Sequence, residues 1–340
     1  SVSGPPPAPI SQPQALAVYL ARGRGVRTAP DRIVVCSGAA HALRLLARVL
    51  GPAAPWAVEA YGLPFHRGLL AEAGVTTLPV AVDGDGARVA EIPEHARAVL
   101  LTPAHQFPTG GPLHPERRAG VLEWARARGG LVIEDDYDGE FRYDRRPVGA
   151  VQGLDPERTV LIGSVSKSLS PGLRIGWMCL PSALVEPVVA AKGLREPYAS
   201  ATDQLTLADL LASGAYDRHV RRMRQRHRAR RDRLTEVLAE RVPAVRVTGI
   251  AAGLHAVLEL PAGTERAALA ATARHGVGVE GLAPYRHPGA RDATGPTDAD
   301  EPDAAAPPDG LVVGYATPPE RLYPGALDAL CAGLSEALGS

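Results

Sequence analysis

Cysteine is scarce: Cys36, Cys179 and Cys331 are odd in number and scattered through segments that read as regular structure. That argues against a disulfide framework or a thiolate zinc site, and it fits a reducing cytoplasm. An excess of one charge is also missing, since 37 basic and 37 acidic residues cancel. No global field then draws the chain to nucleic acid or membrane, and such a partner has to be met by a local patch. No apolar run approaches the ~20 residues of a membrane span, and the start has neither the basic region nor the apolar core of a signal peptide. Lysine is rarest among the charged types, with only Lys167 and Lys192. What is present is a hydrophobic content of 45% over 340 residues, enough for two domains or one large one.

Lys167 stands in Gly163-Ser164-Val165-Ser166-Lys167-Ser168-Leu169-Ser170-Pro171-Gly172-Leu173-Arg174. The apolar run Thr159-Val160-Leu161-Ile162 reads as a buried strand, and the small residues after it read as the turn leaving that strand. A lysine at a strand end, partly desolvated and beside the cation Arg174, has its ammonium form disfavoured, and a neutral amine condenses with an aldehyde to a Schiff base. Ser164, Ser166 and Arg174 are then free to bind an anion close by, with the forked donors of arginine suited to phosphate. An aldehyde bearing a phosphate is pyridoxal phosphate. The rival reading is a surface lysine in a serine-rich loop. Lys192, in Ala191-Lys192-Gly193 of a helical stretch, has no phosphate partners nearby.

A second strand, Gly130-Leu131-Val132-Ile133, runs into Glu134-Asp135-Asp136-Tyr137-Asp138-Gly139-Glu140. Ligands of open α/β sheets bind outside the carboxyl ends of strands, so these acids face the crevice that holds Lys167. Pyridoxal phosphate needs an anion at its pyridine nitrogen, because a protonated ring is the electron sink for a substrate carbanion. Asp135 is the candidate, with Tyr137 hydrogen-bonding the phenolic oxygen. The competing reading, a solvated turn, suits Asp138 and Glu140 better than Asp135. Nearer the start, strand 33–36, the Ser37-Gly38 turn and a helix over 39–50 form an anion-site pattern, with the amides after Gly38, those of Ala39 and Ala40, aimed at a phosphate.

These stretches, with Thr102-Pro103-Ala104-His105-Gln106-Phe107-Pro108-Thr109-Gly110 and Tyr216-Asp217-Arg218-His219-Val220, occur in one order over about residues 11–340. The chain thereby resembles fold-type-I pyridoxal-phosphate proteins, and among them the aminotransferase-like domain of the MocR subfamily of GntR transcriptional regulators. The aspartate with a tyrosine two residues on, and the arginine seven after the lysine, look like this subfamily rather than ordinary aminotransferases. The resemblance implies an α/β, aspartate aminotransferase-like fold: a large, mostly parallel-sheet cofactor domain over 11–225 and a small α+β domain over 226–340. It implies a cytoplasmic homodimer, an amine or amino-acid effector, and DNA contact only through a separate N-terminal domain. Residues 1–10, rich in proline, are then expected to be the linker after such a domain. Gln106 joins the cofactor set as a donor to the phenolic oxygen, although glutamine in a turn also serves to cap backbone.

Departures from the family pattern sharpen the reading. Where the family has Glu-x-Pro-Gly-Tyr, this chain has Glu59-Ala60-Tyr61-Gly62-Leu63, and Phe65 stands where some members carry an arginine for a substrate carboxylate. In the C-terminal strand Leu311-Val312-Val313-Gly314-Tyr315-Ala316, Val312 is in register with the aminotransferase arginine that clamps that carboxylate. Further expectations are a continuous helix over 183–215 interrupted near Glu196-Pro197, a salt-bridged arginine-rich connector over 217–233, and a mobile loop over 289–309. The functional expectation is an effector-sensing domain of a MocR-type regulator. Its rivals are a free-standing aminotransferase acting on an unusual amine and a degenerate scaffold for protein contacts.

Overall fold

A computed structural model describes residues 11–143, 148–193, 199–290 and 309–339. The linker at 1–10, the interruption near Glu196-Pro197 and all but the ends of the 289–309 loop lie outside them. The helices are α1 (Gln12–Arg24), α2 (Ala39–Leu50), α3 (Pro64–Glu72), α4 (Pro115–Arg128), α5 (Ser182–Lys192), α6 (Ala201–Ala212), α7 (Ala215–Arg241), α8 (Glu265–Arg274) and α9 (Tyr323–Leu338). The strands are β1 (Ile33–Cys36), β2 (Trp56–Glu59), β3 (Thr77–Val80), β4 (Val82–Asp83), β5 (Gly86–Ala87), β6 (Ala98–Leu101), β7 (Leu131–Asp135), β8 (Thr159–Ser164), β9 (Gly176–Cys179), β10 (Arg246–Thr248), β11 (Ala256–Glu259), β12 (Glu280–Gly281) and β13 (Gly310–Val313). None of these helices is long and apolar enough to cross a membrane.

Seven strands form one sheet in the order β1-β9-β8-β7-β6-β2-β3. Only β9 runs against its neighbours, while β2, β3, β6, β7 and β8 pair in parallel, so the mostly parallel sheet that the resemblance implies is present. Its central strands are buried on both faces and are almost wholly apolar up to their carboxyl ends, as helix-covered parallel strands are. Pro79 sits in β3 at the sheet's edge, the one place where a missing N–H costs no ladder bond. On one side, α2 packs Leu43, Leu45 and Leu46 with Val160, Ile162 and Met178. On the other, α4 adds Val121, Leu122 and Ala125 to Val99 and Val132.

Helix α4 starts at Pro115, which pre-sets the first helical turn, while just before it the Leu113 amide donates to the Pro103 carbonyl. The run expected over 183–215 breaks at Gly193, whose φ of 53° closes α5, and resumes at α6. Helix α7 is 27 residues long. Its start gives Tyr216 and Val220 to a cluster with Leu16, Leu161 and Trp177, and its end gives Leu234, Val237 and Leu238 to the core of the second sheet, β10-β11-β13-β12. The border expected at 225–226 falls inside this unbroken helix. Its arginines are engaged as anticipated: Arg226, Arg228, Arg233 and Arg241 pair with Glu320, Asp232, Glu236 and Asp328.

Candidate cofactor site

All parallel strands of the large sheet end on one edge, and the candidate residues collect there. Cys36 and Ser164 flank Gly176 in register, so the turns leaving β1 and β8 and the segment entering β9 meet at one place. Gly38 precedes α2 with φ 89° and offers no side chain to cap it, which leaves the first amides, those of Ala39 and Ala40, without an intrahelical acceptor. Arg174 folds over this turn and its Nη2 donates to the Ser37 carbonyl at 2.8 Å. A Cβ on Gly38 would lie 3.1 Å from that same Nη2, and one on Gly176 would lie 2.7 Å from the Gly38 Cα. Arg174 holds φ 51°, the only positive φ at a non-glycine residue among those described. Backbone strain of this kind persists only where surrounding structure enforces it, and it concentrates at ligand sites.

The turn after β8 is anchored by Val165 and Ser168, both buried, and this turns Lys167 outward. Its side chain is exposed, which corrects the expectation of a partly desolvated amine. Ser164 and Ser166 are half-buried beside it, with the Ser166 amide 3.4 Å from the Ser164 hydroxyl. Ser168 is clamped from α7: its hydroxyl lies 2.7 Å from Tyr216 Oη, and His219 Nε2 lies 2.7 Å from its carbonyl.

Asp135, at the end of β7, is 4% exposed and has no hydrogen-bond partner among the described residues. Burial, then the charges of Asp136, Asp138 and Glu59, push it up to about 7, while Lys167 pulls the other way. The nearest cationic candidate is His66 Nδ1, 3.8 Å away on α3, but burial pushes that imidazole down to about 4 and keeps it neutral. Tyr137 is half-buried, its hydroxyl 3.0 Å from His105 Nδ1. Phe107 meets its ring edge-on at 5.8 Å. Gln106 spends both amide hydrogens on the carbonyls of Tyr61 (2.8 Å) and Phe107 (2.7 Å) and accepts from Thr109, so here it caps backbone instead of facing the cleft.

The acid cluster is no solvated turn. Asp138 is buried with its Oδ2 2.8 Å from His105 Nδ1. Glu140 accepts from Tyr216 Oη at 2.9 Å, and Asp136 takes a bidentate pair from buried Arg24. His66, His105 and Asp138 are the site residues that sequence reasoning missed. His105 lay inside a quoted segment and Asp138 inside the acid run, but their pairing spans 33 positions and carries no periodic signal. Where the aminotransferase arginine is expected, Val312 packs with Val257, Leu282 and Tyr285, against Tyr61, Leu63 and Phe107. Phe65 is 59% exposed.

The family model for aminotransferase class I and II matches residues 3–289. The chain belongs to that family. Among curated relatives, the uncharacterized HTH-type transcriptional regulator YdeL of Bacillus subtilis is 35% identical over 77% of this chain and 58% of its own length. The HTH-type pyridoxine biosynthesis transcriptional regulator PdxR of Corynebacterium glutamicum is 35% identical over 72% and 53%. The chain thus spans a little over half the length of these relatives. Among solved structures, the α-aminoadipate aminotransferase LysN of Thermus thermophilus, complexed with N-(5'-phosphopyridoxyl)-L-leucine, matches with TM-score 0.79 at 23% identity, over 98% of this chain and 83% of that one. That likeness speaks for the fold, the fold-type-I architecture expected from the sequence.

Members of this aminotransferase family bind pyridoxal phosphate, and the donor set fits it. A buried carboxylate without a partner suits a cationic ring nitrogen, uncapped helix amides beside an arginine suit a phosphate, and an exposed lysine at the same edge suits an aldehyde. The space enclosed among Leu63, His66, Phe107, Asp135 and Tyr137 is only ≈ 40 Å³. Two cavities of ≈ 600 Å³ lie elsewhere, one beside His275 and Arg321 and one beside Arg266 and Arg286. Neither is lined by a lysine.

Proposed function

We propose that this chain is the pyridoxal-phosphate-binding effector domain of a MocR-type transcriptional regulator, responding to the cofactor or to the cofactor joined to an amine, and working as a homodimer. DNA contact belongs to a separate N-terminal domain. The observation that carries the reading is the convergence of Lys167, Asp135, Tyr137 and Arg174 on one sheet edge, in a chain whose relatives are named as HTH-type regulators. When bound, the cofactor supplies an electron-withdrawing ring and an electrophilic carbon. Lys167 holds it covalently, Asp135 keeps its ring nitrogen protonated, Tyr137 donates to its phenolic oxygen, and Arg174 with the Gly38–Ala40 turn holds its phosphate.

An apolar side chain, Val312, at the register of the aminotransferase arginine favours sensing over turnover. A free-standing aminotransferase acting on an amine without an α-carboxylate is the alternative. Titrating the cofactor-free chain with pyridoxal phosphate and recording visible absorption tests the reading. A saturable band is expected, altered by particular amines without accumulation of a keto product. Catalytic release of keto product would favour the enzyme, and no band at all would remove both.

A further inference from the structure

Behind Tyr137 lies a buried pair that none of the proposed cofactor contacts uses. His105 and Asp138 are 3% and 2% exposed. Asp138 Oδ2 and the Tyr137 hydroxyl approach the same ring nitrogen, Nδ1 of His105, at 2.8 and 3.0 Å. The other carboxylate oxygen, Oδ1, is buried with no partner. Packing leaves the pair no freedom: a Cβ on Gly253, which holds φ 77°, would fall 2.3 Å from His105 Cε1 and 2.6 Å from Asp138 Oδ2. The neighbouring His255 packs its ring 5.2 Å from that of His105 and turns its Nε2 to the Pro108 carbonyl at 3.1 Å.

One nitrogen has one proton to give. A carboxylate at 2.8 Å in a buried setting takes it, which fixes His105 as the Nδ1–H tautomer. Nδ1 is then no acceptor for Tyr137, whose own hydrogen is left to turn toward Asp138 or toward the cleft. We propose that His105 and Asp138 are positioning residues for Tyr137: packed behind the phenol, they hold its hydroxyl at the cleft, where a bound pyridoxal phosphate presents its phenolic oxygen as the acceptor. Burial and the Asp138 charge push the phenol well above its ordinary range, which agrees. The inference rests on the cofactor reading above. Neither residue touches the cofactor. Both act through Tyr137.

The other titratable groups facing Tyr137 are Asp135 on its own strand exit and Glu59 at the end of β2, with the His255 ring 6.5 Å away and itself under the charge of Lys167. The test therefore subtracts whatever acts through space. Lysine-bound pyridoxal phosphate has a visible band that titrates with pH, and its midpoint is measured in the parent chain, Asp138→Asn, Tyr137→Phe and the double variant. Asp138→Asn is expected to weaken the hydrogen bond from Tyr137 to the phenolic oxygen and so move the midpoint to higher pH by about tenfold in proton concentration, and to change it by less than about twofold once Tyr137→Phe is present. Borohydride reduction followed by mass spectrometry checks that Lys167 is labelled in each. Should Asp138→Asn not fold, His105→Gln, which keeps a donor toward Asp138, is read by the same rule. An unshifted midpoint, or a shift that survives intact in the Tyr137→Phe background, overturns the positioning role alone. A parent chain with no visible band overturns the cofactor reading and this role with it.

Discussion

Replacing Asp135 by asparagine is expected to stabilise the cofactor-free protein while abolishing its response to cofactor. The fold holds this carboxyl at about 7 against an ordinary 3.8, chiefly by burial. Between those values the folded chain keeps a proton that the unfolded chain has lost, so stability falls as pH rises through that window and levels off above it. The full excursion is about 4 kcal/mol, at about 1.4 kcal/mol per pH unit. An amide of the same shape never ionises and escapes this loss. From pH 5 to pH 8 the stability of Asp135→Asn relative to the parent should therefore rise by about 2.5 kcal/mol, or about 3.5 °C in melting temperature for a chain of this size. Glu140, also pushed up to about 7, imposes the same slope on parent and variant and cancels in the difference. Thermal unfolding of both proteins, stripped of cofactor, at the two pH values measures it. With pyridoxal phosphate added, only the parent should gain, because only it has a charge to pair with the ring nitrogen. A gap between the two melting temperatures that stays constant within about 1 °C from pH 5 to pH 8 would refute the account of Asp135 as a buried, unpaired acid.

Reduction with borohydride in the presence of pyridoxal phosphate should place a pyridoxyl group on Lys167 and none on Lys192, whose Nζ is held by the Val35 carbonyl at 2.8 Å; a label on Lys192 alone would sink the assignment. Gly176→Ala should cost about 1–3 kcal/mol in urea unfolding and weaken cofactor binding, since the new methyl presses on the Gly38 backbone; parent-like behaviour in both assays would show that the turn can yield. Aspartate and alanine should convert the bound cofactor to its pyridoxamine form slower than about once per second in a single-turnover experiment, and a faster rate would mean that some cation replaces the one absent at Val312. Light scattering should report a dimer, consistent with Val18 on α1 and Leu205 on α6 standing exposed; monomer at every accessible concentration with cofactor present would contradict it.

Much of the scaffold was legible because its signals are local. The Ser37-Gly38 turn and the apolar spacing after it set α2 at 39–50, as found, and the strands ending in Asp135 and Ser164 announce themselves by apolar runs that stop at polar residues. Helix α3 and strand β3 were not foreseen: each is short, and Pro64 and Pro79 read as breaks until the sheet shows one at a helix start and the other on an edge. The site was legible in membership more than in environment. Whether an acid is solvated depends on what the rest of the chain lays over it, and Arg24, Tyr216 and Gly253, which cover Asp136, Glu140 and Asp138, are distant in sequence. The same limit applies to Lys167, whose exposure follows from Val165 and Ser168 taking the buried places in its turn.

Helix α7 is bolted near its start to the residue next to Lys167 and, past its middle, through Arg230 to the carbonyls of Tyr315 and Ala316 just beyond β13, while Leu234, Val237 and Leu238 toward its far end pack into the core of the second sheet. At 1.5 Å per residue its 27 residues make a rod about 40 Å long, with no proline or glycine inside to bend it. A tilt of one degree at the Ser168 end moves the far end by about 0.7 Å. A displacement of the Lys167 turn too small to disturb the sheet beneath it either breaks two hydrogen bonds at Ser168 or arrives, geometrically enlarged, at the second sheet.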